Sequence, residues 1–221
     1  MRKGRVNQVT LAALLLFAAI CIALVSFLYM DNVIPHRAYD NEHFGIASYV
    51  SPKDQDGDGI DDQTDILAGA RAYIATKPKY KSKYYEGGYP NDGYGVCTDV
   101  VGAALLAAGY DLQHLVDEDI SVRPDAYGIA SPDRNIDFRR VRNLLVYFDA
   151  HADVLTTDIK KPDQWQGGDI VVFESHIGIV SDKRNARGIP FVIHHSGKLQ
   201  FRYEEDILLW RDDIVGHYRV K

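Results

Sequence analysis

Hydrophobic and polar positions fall into distinct regimes along the 221 residues. Thr10 to Met30 is an uncharged apolar run of about twenty residues, enough for a helix to cross roughly 30 Å of hydrocarbon. Asp31 to about Val50 shows no periodicity and reads as an irregular tether, and Val50-Ser-Pro52 breaks any helix there. A dense acidic turn precedes a helix predicted over Thr64 to Ala75. Tyr84 onward is rich in Gly, Tyr, Pro, Asn and Asp, which punctuate loops. At Cys97 the composition switches to Thr-Asp-Val-Val-Gly-Ala-Ala-Leu-Leu-Ala-Ala, apolar on more than one helical face. That predicts a buried helix from Cys97 or Thr98 to about Ala108, stopped by Gly109.

Tyr110 to Asp133 has few periodic signals and reads as a long loop with a short helical piece near Leu112 to Val116. Ile136, Val141, Leu144, Leu145 and Phe148 recur at helical spacing, with Asn135 or Asp137 as N-cap. From Trp165 the pattern becomes β. Ile170 to Phe173 is followed by a turn at Glu174-Ser175, then His176 to Val180, Phe191 to His195 and Val215 to Val220. Helices first and strands last describe an α+β fold: a helix bundle packed on a small antiparallel sheet, preceded by one transmembrane helix.

Charge adds topology. Arg2, Lys3 and Arg5 precede the apolar run and Asp31 follows it. The positive-inside rule leaves the N-terminus cytoplasmic and the rest extracytoplasmic, a single-pass arrangement in the cell membrane. Val25 to Met30 offers no small-x-small cleavage site, and Ile20 before Cys21 does not suit lipoprotein processing, so the run is read as an uncleaved signal anchor. The net charge is −6, and the part after the three N-terminal cations is more acidic still. That excludes nucleic acid as a partner.

Asp54-Gln-Asp56-Gly-Asp58-Gly59-Ile60-Asp61-Asp62-Gln-Thr-Asp65 matches a calcium-loop template. Asp54, Asp56 and Asp58 hold positions 1, 3 and 5, Gly59 position 6, Ile60 position 7 through its carbonyl, Asp62 position 9 and Asp65 position 12. With no helix before it, the loop resembles single-loop calcium motifs of dockerin or thrombospondin type. Its role is structural: calcium stiffens the neck between tether and domain.

Cys97 sits where first-turn amide N–H groups and the helix dipole favour thiolate, behind a glycine-rich loop that gives access. With Cys21 in the bilayer, Cys97 is an unpaired thiol in an extracytoplasmic domain, which favours a chemical use. A thiol nucleophile needs a base, and that imidazole needs a third polar group. His176 and His194, both at predicted strand ends, fill those roles, while His195 and His217 are read as structural. Arg139, Arg140 and Arg142 could bind an anionic substrate, but such a run is more often a solvated face or pairs with local acids, so they stay outside the site. A Cys/His/His zinc site lacks any short ligand-pair spacing.

The segments YYEGG, GVCTDVV, WQGGDIVVF, HIGIV and VIHHSG follow the order seen in NlpC-like cell-wall cysteine peptidases of the papain-like superfamily. More closely, GVCTDVV, DLQ, NIDFRRVRNL, GDIVVF, HIGIVSD and GHYR resemble DUF1287, a family of unknown function related to that superfamily, from about Ile66 to the C-terminus. The resemblance implies a papain-like fold with Cys97 as nucleophile, His176 as base, His194 as orienting residue and Tyr84 lining the site. Where the NlpC-like pattern reads Asp-Cys-Ser-Gly, this chain reads Val-Cys-Thr-Asp. Asp99 is therefore taken with Tyr84 as a substrate contact, and the pocket is expected to differ. The division expected is 1–30 cytoplasmic tip and anchor, 31–53 tether, 54–65 calcium loop and 66–221 hydrolase domain. The activity implied is amide hydrolysis in cell-wall peptides or glycopeptides, with no cofactor for the chemistry. The rivals are a calcium-stabilised wall-binding module without catalysis and an acyl or peptidyl transferase on the same fold.

Overall fold

The 23-residue apolar helix α1 (Gln8–Met30) contains an 18-residue window of mean hydropathy 2.9, and among the described residues none of its side chains is buried. At the usual rise it is roughly 34 Å long, sufficient to cross a bilayer. The computed structural model describes residues 8–221, so the basic cluster Arg2, Lys3 and Arg5, expected to form a cytoplasmic tip, lies outside the described residues. Asn32, at φ 53°, ends the helix: the N–H groups of Val33 and Ile34 turn back onto the Leu28 carbonyl. The chain divides into two units, Met1–His36 and Arg37–Lys221.

The second unit claims most of the expected tether, from Arg37 onward. Tyr39 pairs with Arg184 through two backbone hydrogen bonds of 2.8 Å, and Asn41 accepts from Arg184 Nε at 2.5 Å. Arg184 is fully buried, and its guanidinium also donates to the carbonyls of Pro162, Gly188 and Trp165. These bonds dock the segment from Arg37 onward into the domain. The lack of periodicity reflected a chain satisfied by one buried arginine, not a free linker.

The elements that follow are α2 (Asp62–Ala75), β1 (Lys79–Tyr80), β2 (Tyr94–Gly95), α3 (Cys97–Ala107), α4 (Leu112–Val122), α5 (Pro124–Tyr127) and α6 (Val141–His151). The strands β3 (Ala152–Val154), β4 (Ile170–Phe173), β5 (Ile177–Arg184), β6 (Pro190–Ile193), β7 (Glu204–Glu205) and β8 (Ile214–Val220) complete the domain. They form a six-stranded antiparallel sheet in the order β3-β8-β4-β5-β6-β7. β1 and β2 make a separate two-stranded parallel pair.

The sheet is covered on both faces, as its strand burial requires. Ile170, Val172, Ile177, Ile179 and Ile193 join the main core with α2, α3, α4 and α6. The alternate residues Val171, Phe173, Val180 and Val192 face a smaller core around Trp165 and Leu208. The helices α2 and α3 meet at Gly69, where a Cβ would stand 2.5 Å from that of Ala107.

Two expectations change. Tyr110 to Asp133 is mostly helical, because Leu112, Val116 and Ile120 bury a narrow stripe, Glu118 faces solvent and the buried Asp119 is held by Arg123, Tyr127 and His151. α6 starts later than expected. Asp137 does not cap it but lies in a tight 3₁₀ turn, Asp137–Arg139, with its carboxylate accepting from the Asp133 N–H at 2.6 Å.

Candidate active site

The nucleophile candidate is placed by the start of α3. Val96 is extended, and its N–H donates to the Asp99 carboxylate at 2.8 Å, closing the first turn. Gly95 is required just before it, since a Cβ there would lie 1.9 Å from Tyr73 Oη. Cys97 is half-buried against the main core, and its sulfur faces the backbone N–H groups of Ile177 and Thr98. Ile177 opens β5, so the thiol rests one residue from His176.

His176 lies in the tight turn between β4 and β5, where the Phe173 N–H donates to its carbonyl at 2.8 Å. His194 follows β6 directly. Their rings meet edge to face, with His176 Nε2 2.9 Å from His194 Nδ1. His194 Nε2 in turn lies 2.9 Å from Glu205 Oε2, and the Gln200 amide donates to that oxygen at 3.3 Å and to the His194 carbonyl at 3.2 Å. His176, His194 and Glu205 are all buried.

The order of these contacts fixes the tautomers. A carboxylate only accepts, so His194 carries its proton on Nε2 and offers Nδ1 as acceptor. His176 then donates through Nε2, which leaves its Nδ1 as the basic nitrogen. Such an imidazole is prepared to receive a proton. Burial, followed by the neighbouring His194 and Arg211, pushes His176 down to about 3. Burial likewise pushes the Cys97 thiol up to about 11. The thiolate expected from the helix start is therefore not the resting form: loss of solvent outweighs the N–H groups that face the sulfur. Both partners rest neutral, and proton transfer must accompany attack.

The two sequence-derived substrate contacts are placed elsewhere. Asp99 is 2 % exposed and bound by Arg139 through Nε at 2.6 Å and Nη2 at 2.9 Å. It is a structural ion pair and is not offered to a solute. Arg139, read from sequence as solvated or paired with an acid, is interior and paired with Asp99, and it also donates to the Lys83 carbonyl at 2.7 Å. Tyr84 is exposed, and its hydroxyl bonds with Asp133 at 3.3 Å and Asn135 at 3.2 Å rather than with the histidines. His217, read as structural, is fully buried between Asp169, at 3.0 Å, and the Trp165 ring stacked at 3.8 Å.

Glu205 was missed because a two-residue strand carries no periodic signal. The legible hint was its place on the segment after His194. A surface hollow of about 560 Å³ lined by Asn41, Tyr49, Gln63, Arg71 and Asp182 includes none of Cys97, His176 and His194.

In the acidic turn, one carboxylate oxygen from each of Asp54, Asp56 and Asp58 lies within 4.8 Å of the others, all three residues exposed. The Ile60 N–H donates to Asp58 at 2.8 Å. Asp65 sits in the first turn of α2, where burial, then Asp58, Asp56 and Asp54, hold its carboxyl above the usual range. Asp62 departs from the template. It is 3 % exposed, with one oxygen accepting from the Gln55 N–H at 2.7 Å and the other from Tyr110 Oη at 2.5 Å. Its carboxylate packs the turn against the end of α3.

Residues 37–221 thus form a mixed α+β domain in which a thiol faces the start of β5 and a buried His-His-Glu series leads to the residue before that strand. The chain belongs to the DUF1287 family, a domain of unknown function whose model matches residues 67–220. It is 41 % identical over 168 residues, 70 % of this chain and 80 % of the relative, to the uncharacterized protein YijF of Escherichia coli (strain K12). No solved structure matches.

Proposed function

We propose that this protein is a membrane-anchored, extracytoplasmic cysteine amidohydrolase of papain-like, NlpC-related type that cuts amide bonds in cell-wall peptides. The observation that carries the reading is the contact series from Glu205 through His194 to His176, whose chain neighbour Ile177 turns its backbone N–H to the Cys97 sulfur. A carboxylate holding His194, which in turn holds His176, gives the base a fixed tautomer. A cysteine-headed helix packed against an antiparallel sheet that carries both histidines supports the papain-like assignment. The apolar α1 supports the anchor, and the basic residues before it support the outward-facing orientation.

In the proposed reaction His176 Nδ1 takes the Cys97 proton as the sulfur attacks the substrate carbonyl carbon. Backbone N–H groups of the first turn of α3 hold the oxyanion. The tetrahedral intermediate collapses, the C–N bond breaks, and His176 returns its proton to the departing amine. Water, deprotonated by His176, then cleaves the thioester to release the acid and regenerate the thiol.

Incubating the purified full chain in detergent with muropeptides, and following products by mass spectrometry, tests this. The parent chain is expected to release fragments and C97A none. Absence of product from the parent overturns the substrate assignment; product from C97A overturns the nucleophile. The raised thiol favours a second reading, a wall-binding module whose cysteine is idle. That reading predicts retention on sacculi unchanged by C97S and no turnover by either form.

A further inference from the structure

We propose that Asp54, Asp56, Asp58, the Ile60 carbonyl and Asp65 bind one calcium ion, and that this ion clasps the start of α2 to the far end of the helix carrying Cys97. The cluster of exposed acids does not carry this alone. Asp65 does: it is 9 % exposed, and its Oδ2 is buried with no hydrogen-bond partner. The charges acting most on that carboxylate are those of Asp58, Asp56, Asp54 and Asp61, all of the same sign. A buried carboxylate oxygen without a donor, on a side chain surrounded by like charges, is a costly arrangement unless a cation completes it.

The dimensions suit calcium. Oxygens at 2.3–2.6 Å from one ion lie at most about 5 Å apart, and the three exposed carboxylates meet within 4.8 Å. An all-oxygen set of carboxylates plus a backbone carbonyl suits a hard cation and not zinc. Gly57 at φ 75° and Gly59 at φ 94° supply the bends that a side chain would strain. With Asp62 turned to Gln55 and Tyr110, water would complete the shell.

The position gives the ion its task. A Cβ on Gly109, just beyond α3, would stand 3.0 Å from the Asp56 Cβ, and Tyr110 Oη is held by Asp62. The loop thus touches the C-terminal end of α3 while Asp65 anchors it to α2. Calcium would lock together the two helices whose packing sets the position of Cys97, independently of whether that thiol is catalytic.

Calorimetric titration of calcium chloride into the full chain, purified in detergent and stripped with EGTA, tests the proposal. One ion per chain is expected, with a Kd on the order of 10⁻⁴–10⁻³ M or tighter, and a rise in melting temperature. D65N is expected to abolish both responses while melting no lower than the stripped parent, because it removes one of the mutually repelling charges. D58N, at an exposed position, weakens binding and serves if D65N fails to fold. No binding at about 10 mM calcium, equal affinity for magnesium, or D65N and D58N titrating like the parent would each overturn the proposal.

Discussion

Glu205 shows how much a single side chain does beyond the pair it joins. It touches neither the sulfur nor His176, yet its contact with His194 decides which nitrogen of each ring is basic. E205Q keeps the shape but lets the amide donate, so His194 can flip to the wrong tautomer. On the proposed activity, turnover should fall roughly 10–100-fold with KM little changed, measured on the same muropeptides; an unchanged turnover would detach Glu205 from the site. Asp99 belongs to a different calculation. Its pair with Arg139 is buried at both ends, with side-chain exposures of 1 % and 2 %. D99A leaves the guanidinium unpaired in the interior and should cost about 3–5 kcal/mol in urea unfolding. A loss within error would mean that Arg139 finds another partner. The sequence announced Cys97, His176 and His194 through their places at a helix start and strand ends. It could not announce that Asp99 faces inward, because a residue beside a nucleophile looks alike whether it meets substrate or a buried arginine.

The helices and strands were legible where one face or both faces were uniformly apolar. α3, β4 and β8 fall within a residue or two of the pattern, since their composition leaves no other placement than the interior. Only the start of α4 was legible, as the short helical piece near Leu112 to Val116: three buried apolar positions four apart are the minimum stripe, and a loop reading competes with it further on. β3 and β7 are edge strands of two or three residues, too short to show alternation. The α2–α3 contact was equally invisible, since it depends on one glycine. G69A places a methyl 2.5 Å from the Ala107 Cβ and 3.1 Å from the Ala104 carbonyl oxygen. Separating two packed helices to admit it should cost about 1–3 kcal/mol. A107G in the same chain should recover part of that loss, and thermal unfolding of the two variants decides it. If G69A melts with the parent, the helices pack less closely than their backbones indicate.

For the domain as a whole, buried neutral histidines set the response to acid. His176 is pushed down to about 3 by burial and by His194 and Arg211, with Asp213 opposing; His195 is pushed down to about 4 by burial and His194. The unfolded chain protonates both near their ordinary value of 6.5. Between 6.5 and about 4 the unfolded state therefore binds more protons than the folded state, and stability must fall as pH falls. Above 6.5 the contribution is fully present. Carboxylates held low, such as Glu204 beside Lys183, Ser181 and Arg71, act in the same direction but only below their ordinary value of 4.5. The interval from 6.5 to 4.5 consequently isolates the histidines. Asp65, whose carboxyl is held high, works with the opposite sign, but it is common to parent and variant and cancels in their difference. H176N should flatten the slope of melting temperature against pH in that interval, while the parent loses stability steadily. Equal slopes would mean that His176 takes up its proton in the folded state, and the neutral resting pair at Cys97 would have to be abandoned with it.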